Sequence, residues 1–117
     1  VKHSAARLSQ EIRARLATIV REHTGDPRLE LLAITEVKVS PDASLARVFY
    51  RTLGDAPAAA AALEKAKPYL RRRLASELKV RRVPELDFRP DDTIERADRV
   101  EGVLREIARE REGKGSP

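Results

Sequence analysis

The sequence predicts an α+β domain in which helices cover one face of a small sheet, and three patterns predict it. Apolar residues recur at steps of three and four from Ser4 to about His23, the period changes to two between Leu31 and Leu53, and helical spacing returns after Asp55. A short stretch of period two, Glu85 to Arg89, interrupts that second helical half and supplies a third strand. At 117 residues the chain has room for one modest core. Residues 1–111 read as a single domain and 112–117, EGKGSP, as a disordered tail.

In the first helix Leu8, Ile12, Leu16, Ile19 and Val20 form the stripe to be buried, and Arg7, Glu11, Arg15 and Arg21 fall outside it. Thr24-Gly25-Asp26-Pro27 ends the helix, because glycine accepts a left-handed cap and proline cannot continue the ladder. Leu31 to Ser40 then alternates, with Leu31, Ala33, Thr35, Val37 and Val39 on one side and Glu36 and Lys38 on the other. Ser40 to Ser44 is a turn by composition. Beyond it Ala46, Val48, Tyr50 and Thr52 oppose Arg47, Phe49, Arg51 and Leu53, so the two segments make an antiparallel hairpin.

Asp55 caps the next helix, which has Pro57 in its first turn and a run of alanines behind it. Pro68 has no backbone N–H and biases Lys67 away from helical torsions, which predicts a kink or cut at Ala66-Lys67-Pro68 and a second helix beginning there. Leu70, Leu74 and Leu78 anchor that second helix. Pro84 marks a strand start or an edge, and Asp91-Asp92-Thr93 offers capping groups for a last helix through Ile94, Ala97, Val100, Leu104 and Ile107.

Composition excludes several functions. With 41% apolar, 37% charged and 3% aromatic residues, the core is aliphatic and the surface heavily ionised. No cysteine is present, so disulfides, thiolate catalysis and cysteine-ligated metals are excluded, in keeping with a reducing, cytoplasmic setting. No apolar run approaches a membrane span or the core of a signal peptide. His3 and His23 stand without patterned partners, and no glycine-rich phosphate loop occurs. The expectation is therefore a protein without catalytic residues, metal, cofactor or small-molecule substrate, acting as a monomer.

The charge is concentrated. Lys65, Lys67, Arg71, Arg72, Arg73, Lys79, Arg81 and Arg82 face only Glu64 and Glu77 within residues 64–82, a local +6 in a chain of +5. Only Glu77 is spaced to pair with Arg73, so this run is a candidate surface for a polyanion and not merely a solvated helix face. Arg7 and Arg28, in a weaker basic region at residues 1–28, are further candidate contacts to the same polyanion, although Arg7 can instead pair with Glu11, Glu11 with Arg15, and Arg28 can equally fix the turn through Asp26. Arg47, Phe49 and Arg51 form a basic and aromatic sheet face that ranks below the cluster, since the last helix is placed to cover it. Residues 83–117, with ten acids against seven bases, are not a polyanion site. Asp91 and Asp92 are explained by capping, with no third metal ligand nearby.

Several stretches in order resemble the ribosome-binding factor A family: Arg7-Leu8 with Ile12, Asp26-Pro27-Arg28-Leu29, Ile34 to Ser40, Asp42 with Leu45-Ala46-Arg47-Val48, Leu70 to Leu74, and Leu78 to Phe88. The resemblance spans residues 5–107. It implies a type II KH-like fold with an appended C-terminal helix, and a non-catalytic factor that binds 16S rRNA in the precursor 30S subunit late in its maturation. None of Gly25, Gly54, Gly102, Gly113 and Gly115 makes the Gly-x-x-Gly clamp of standard KH domains. The family carries an Ala-x-Gly kink instead, matched here by Ala66-Lys67-Pro68, with proline where the family has glycine. A phosphate therefore cannot be held by a backbone N–H at residue 68. From the residues alone two other readings stay open, an adaptor that docks its basic helix on an acidic protein and a DNA-binding domain that uses the helix after Pro68 for recognition.

Overall fold

The computed structural model describes residues 4–22, 25–92 and 104–110. Its elements follow the expected order: helix α1 (Ala5–Glu22), a 3-10 turn (Pro27–Leu29), strands β1 (Leu32–Val39) and β2 (Leu45–Thr52), helix α2 (Ala56–Leu78) and strand β3 (Glu85–Pro90). Residues 104–110 are again helical. His3, His23, the capping role assigned to Thr93 and the tail at 112–117 lie outside the described residues.

Local chemistry accounts for most boundaries. Ser4 caps α1, its hydroxyl accepting from the Arg7 N–H at 3.1 Å. Gly25 takes φ +68°, and Asp26 then caps the 3-10 turn by accepting from the Arg28 N–H. Asp42 holds the hairpin turn, accepting from the Ser44 N–H at 3.1 Å and from the hydroxyls of Ser40 and Ser44 at 2.7 and 2.8 Å. These donors depress the Asp42 carboxyl below its ordinary range, the Ser40 hydroxyl most of all. Asp55 caps α2 through the Ala58 N–H at 3.0 Å.

The sheet order is β1-β2-β3. β1 and β2 are antiparallel as the turn requires, but β3 runs parallel to β2, so the sheet is mixed. A parallel neighbour needs a crossover, and the 23-residue α2 provides it. α1 and α2 close one face, where Leu8, Ile12, Leu16, Ile19, Leu63, Leu70, Leu74, Val48 and Leu86 form one buried cluster.

Two expectations need correction. First, β1 does not keep a single phase. Its register shifts between Ile34 and Glu36, so Leu32 and Ile34 join the main core before the shift and Val37 and Val39 after it. Ala33 faces away and packs with Leu104, Ile107 and Leu31 in a second small cluster. Thr35, at the bulge, donates its hydroxyl to the carboxylate of Asp91, which is 3% exposed and whose N–H bonds the Tyr50 carbonyl. Asp91 is thus a buried partner of the bulge, whereas the sequence suggested only a cap.

Second, of the kink or cut expected at Ala66-Lys67-Pro68, the cut is absent: α2 continues from Ala56 to Leu78 with Pro68 inside it, so no separate second helix begins there. Pro68 removes the bond to the Glu64 carbonyl, yet both residues are exposed, so water can take the place of the missing donor. The buried stripe of Ala59, Ala62, Leu63, Leu70, Leu74 and Leu78 stays docked on both sides of the proline.

Candidate nucleic-acid interface

The structure divides the basic cluster into tied and free cations. Arg71 donates Nη2 to the Val83 carbonyl at 3.1 Å and so braces the connection between α2 and β3. Arg73 donates to Glu77 Oε2 at 2.7 Å and reaches the Tyr69 hydroxyl at 3.3 Å. The carboxylate of Glu77, and then the phenol, raise the Arg73 pKa further. Glu77 also meets Arg15 of α1 at 3.6 Å, so it links the two helices. Lys67 pairs with Glu64 at 2.9 Å and lies 5.9 Å from the Phe88 ring centroid.

Lys65, Arg72, Lys79, Arg81 and Arg82 are exposed and make no ion pair among the described residues. Their arrangement follows from the helix. Lys65 and Arg72 are seven residues apart, two turns of α2, which sets them on one face about 10 Å apart, and Lys79 follows at the same interval at the C-cap. That spacing is about one Debye length at 0.1 M salt, so their mutual repulsion is largely screened and the fold carries the stripe at little cost. Pro68, Ala75 and Ser76, all exposed, lie between them, with the partly exposed Tyr69. Arg81 and Arg82 extend the charge into the loop that leads to β3.

Lys79 occupies the C-cap of α2 with φ 55° and ψ 34°, the left-handed region. Glycine is the residue suited to that conformation, and a lysine there costs about 1 kcal/mol of backbone strain.

The weaker basic region is engaged within the protein. Arg28 forks onto Asp26, Nε to Oδ1 at 3.1 Å and Nη2 to Oδ2 at 2.8 Å. The Arg28 side chain, its backbone N–H and its charge lower the Asp26 pKa to about 2, with a smaller pull from Lys65. Arg7 lies 3.6 Å from Glu11, and Arg21 pairs with Glu110 at 2.9 Å, which tethers the C-terminal helical segment to α1. The outer sheet face is only partly covered: Leu104 and Ile107 reach the Ala33 end and leave Lys38 and Arg47 exposed. Lys38 had not been singled out from sequence, although counting back from the Ser40–Ser44 turn places it opposite Arg47. Among the described residues no cluster of His, Asp and Glu is fit to hold a metal, and no helix is long and apolar enough to cross a membrane.

Fold and site together define a small α+β module with one cationic helical face. Residues 4–104 match the family model described as ribosome-binding factor A. The chain is 44% identical over 117 residues to ribosome-binding factor A of Syntrophomonas wolfei, covering 96% of each, and 42% identical over 108 residues to that of Heliobacterium modesticaldum, covering 90% of this chain and 89% of the relative. It is also similar to the crystal structure of ribosome-binding factor A from Thermus thermophilus (TM-score 0.70, 32% identity, 74% of this chain and 93% of that one). A Thermus thermophilus RbfA homology model fitted into a cryo-EM map of a 30S–RbfA complex matches with TM-score 0.65 and 33% identity, over 73% of this chain and 92% of that one. The chain belongs to the ribosome-binding factor A family.

Proposed function

We propose that the protein binds 16S rRNA in the precursor of the 30S subunit and promotes its late maturation, in the cytoplasm, as a monomer without cofactor or catalysis. The five free cations Lys65, Arg72, Lys79, Arg81 and Arg82 carry this reading. All five are exposed along α2 and the connection to β3, and none is in an ion pair among the described residues. The 30S complex of the Thermus relative supports the choice of partner. Arg71, Arg73 and Lys67 already have partners on or beside α2, and Arg7 and Arg28 are paired elsewhere with Glu11 and Asp26, so these five contribute less to the surface than the free cations.

The face has no Gly-x-x-Gly clamp, so affinity comes from side-chain charge and selectivity from shape. Binding favours the rRNA arrangement that presents phosphates to α2, and release follows when the mature arrangement withdraws them. Five neutralised phosphates give a slope of log K against log salt of roughly −3.5 to −4.5. The test is cosedimentation with precursor 30S subunits of a variant carrying Arg72→Glu, Arg81→Glu and Arg82→Glu, exposed positions whose reversal leaves the core intact. Lost cosedimentation with a native far-UV circular dichroism spectrum is expected. A variant that sediments as wild type refutes the reading.

A further inference from the structure

The outer face of the sheet, opposite α1 and α2, carries a second charged feature that the α2 surface does not explain. Lys38 and Arg47 are direct cross-strand partners in β1 and β2, and like charges at paired positions disfavour the sheet. Their counter-charges are distant or shared. Glu36 Oε2 lies 3.9 Å from Lys38, and Asp87 Oδ2 lies 3.9 Å from Arg47 but only 3.1 Å from Arg89. Both cations are more than half exposed, with side chains at 61% and 57%.

Between them opens a pocket of about 350 Å³, lined by Lys38, Val39, Ser40, Leu45, Arg47 and Phe49. Phe49 and Leu45 give it an apolar surface, and the Lys38 ammonium stands 6.0 Å from the Phe49 ring centroid. A half-buried aromatic ring beside two cations offers stacking to a flat base and neutralisation to the phosphates on either side of it. A volume of this size suits one nucleotide.

We infer that this pocket binds one unpaired nucleotide of a single-stranded RNA segment, its base against Phe49 and its flanking phosphates on Lys38 and Arg47. The inference rests on the reading of the protein as an RNA binder and adds a site on the side of the sheet away from α2. The two sites would let the protein hold two RNA elements at once, one on each side.

The experiment is a titration of the isotope-labelled full chain with a five-nucleotide single-stranded RNA, followed by NMR. Saturable shifts at Lys38, Leu45, Arg47 and Phe49 are expected. Phe49→Ala weakens binding roughly five- to a hundredfold. Lys38→Gln with Arg47→Gln, both exposed and harmless to the core, weakens it as well. The Arg72→Glu, Arg81→Glu, Arg82→Glu variant keeps the pocket shifts. Absent shifts, shifts confined to α2, or a stronger response to a polyglutamate peptide than to the RNA overturn the inference. If the pocket stays silent while the α2 variant loses cosedimentation, the inference falls alone. If the pocket responds while the α2 variant still sediments, it is the α2 reading that falls.

Discussion

Lys79→Gly separates what the α2 surface costs the fold from what it contributes to binding. Lys79 holds φ 55° at the C-cap, and relief of a left-handed non-glycine residue is worth about 1–2 kcal/mol. The added freedom of glycine in the unfolded chain takes back about 0.4–1 kcal/mol. The net gain lies at about 0–1.6 kcal/mol, and its midpoint corresponds to a rise in Tm of roughly 2–6 °C for a domain of this size. The same change removes one cation from the Lys65–Arg72–Lys79 stripe, so the salt slope for RNA binding becomes shallower by about 0.7–0.9 and affinity at low salt falls. Calorimetry and filter binding measured on one preparation test both halves. Lys79→Ala is the control, because it removes the charge but keeps the left-handed strain and brings no gain in Tm. A Lys79→Gly protein that is less stable than wild type refutes the strain argument, and one with an unchanged salt slope refutes the placement of Lys79 on the RNA face.

Two further outcomes follow from the core and the turns. The Asp26 carboxyl ionises at about 2 in the fold against an ordinary 3.8, so its stabilising contribution is fully present above about pH 4 and is lost as pH falls through 2. Asp26→Asn should therefore unfold at lower urea than wild type at pH 7, with the gap closing between pH 4 and 2; a gap that persists at pH 2 contradicts the ion pair with Arg28. Thr35→Val removes one donor from the buried Asp91 carboxylate and should cost about 1–3 kcal/mol in urea unfolding. A loss near zero would show that the bulge does not depend on that bond.

What the sequence by itself determined about this protein is whatever short-range forces decide. The α1 stripe from Leu8 to Val20, the hairpin around Asp42, the Asp55 cap and the Asp26–Arg28 turn each depend on groups within a few residues, so spacing and residue type were sufficient to read them. The basic cluster was equally plain from composition, as was its excess over Glu64 and Glu77.

Tertiary structure decided what that charge is free to do. Arg71 finds the Val83 carbonyl twelve residues away, and Arg15 crosses to Glu77 on another helix; neither contact has a local signature. The bulge at Thr35 needed Asp91 from the far side of β3, and the parallel setting of β3 needed the full length of α2 as its crossover. Pro68 shows the same division. Its missing N–H is a local fact that argues for a kink or break, but Glu64 and Pro68 are both exposed while six buried side chains hold the helix to the core, and that packing keeps the helix continuous.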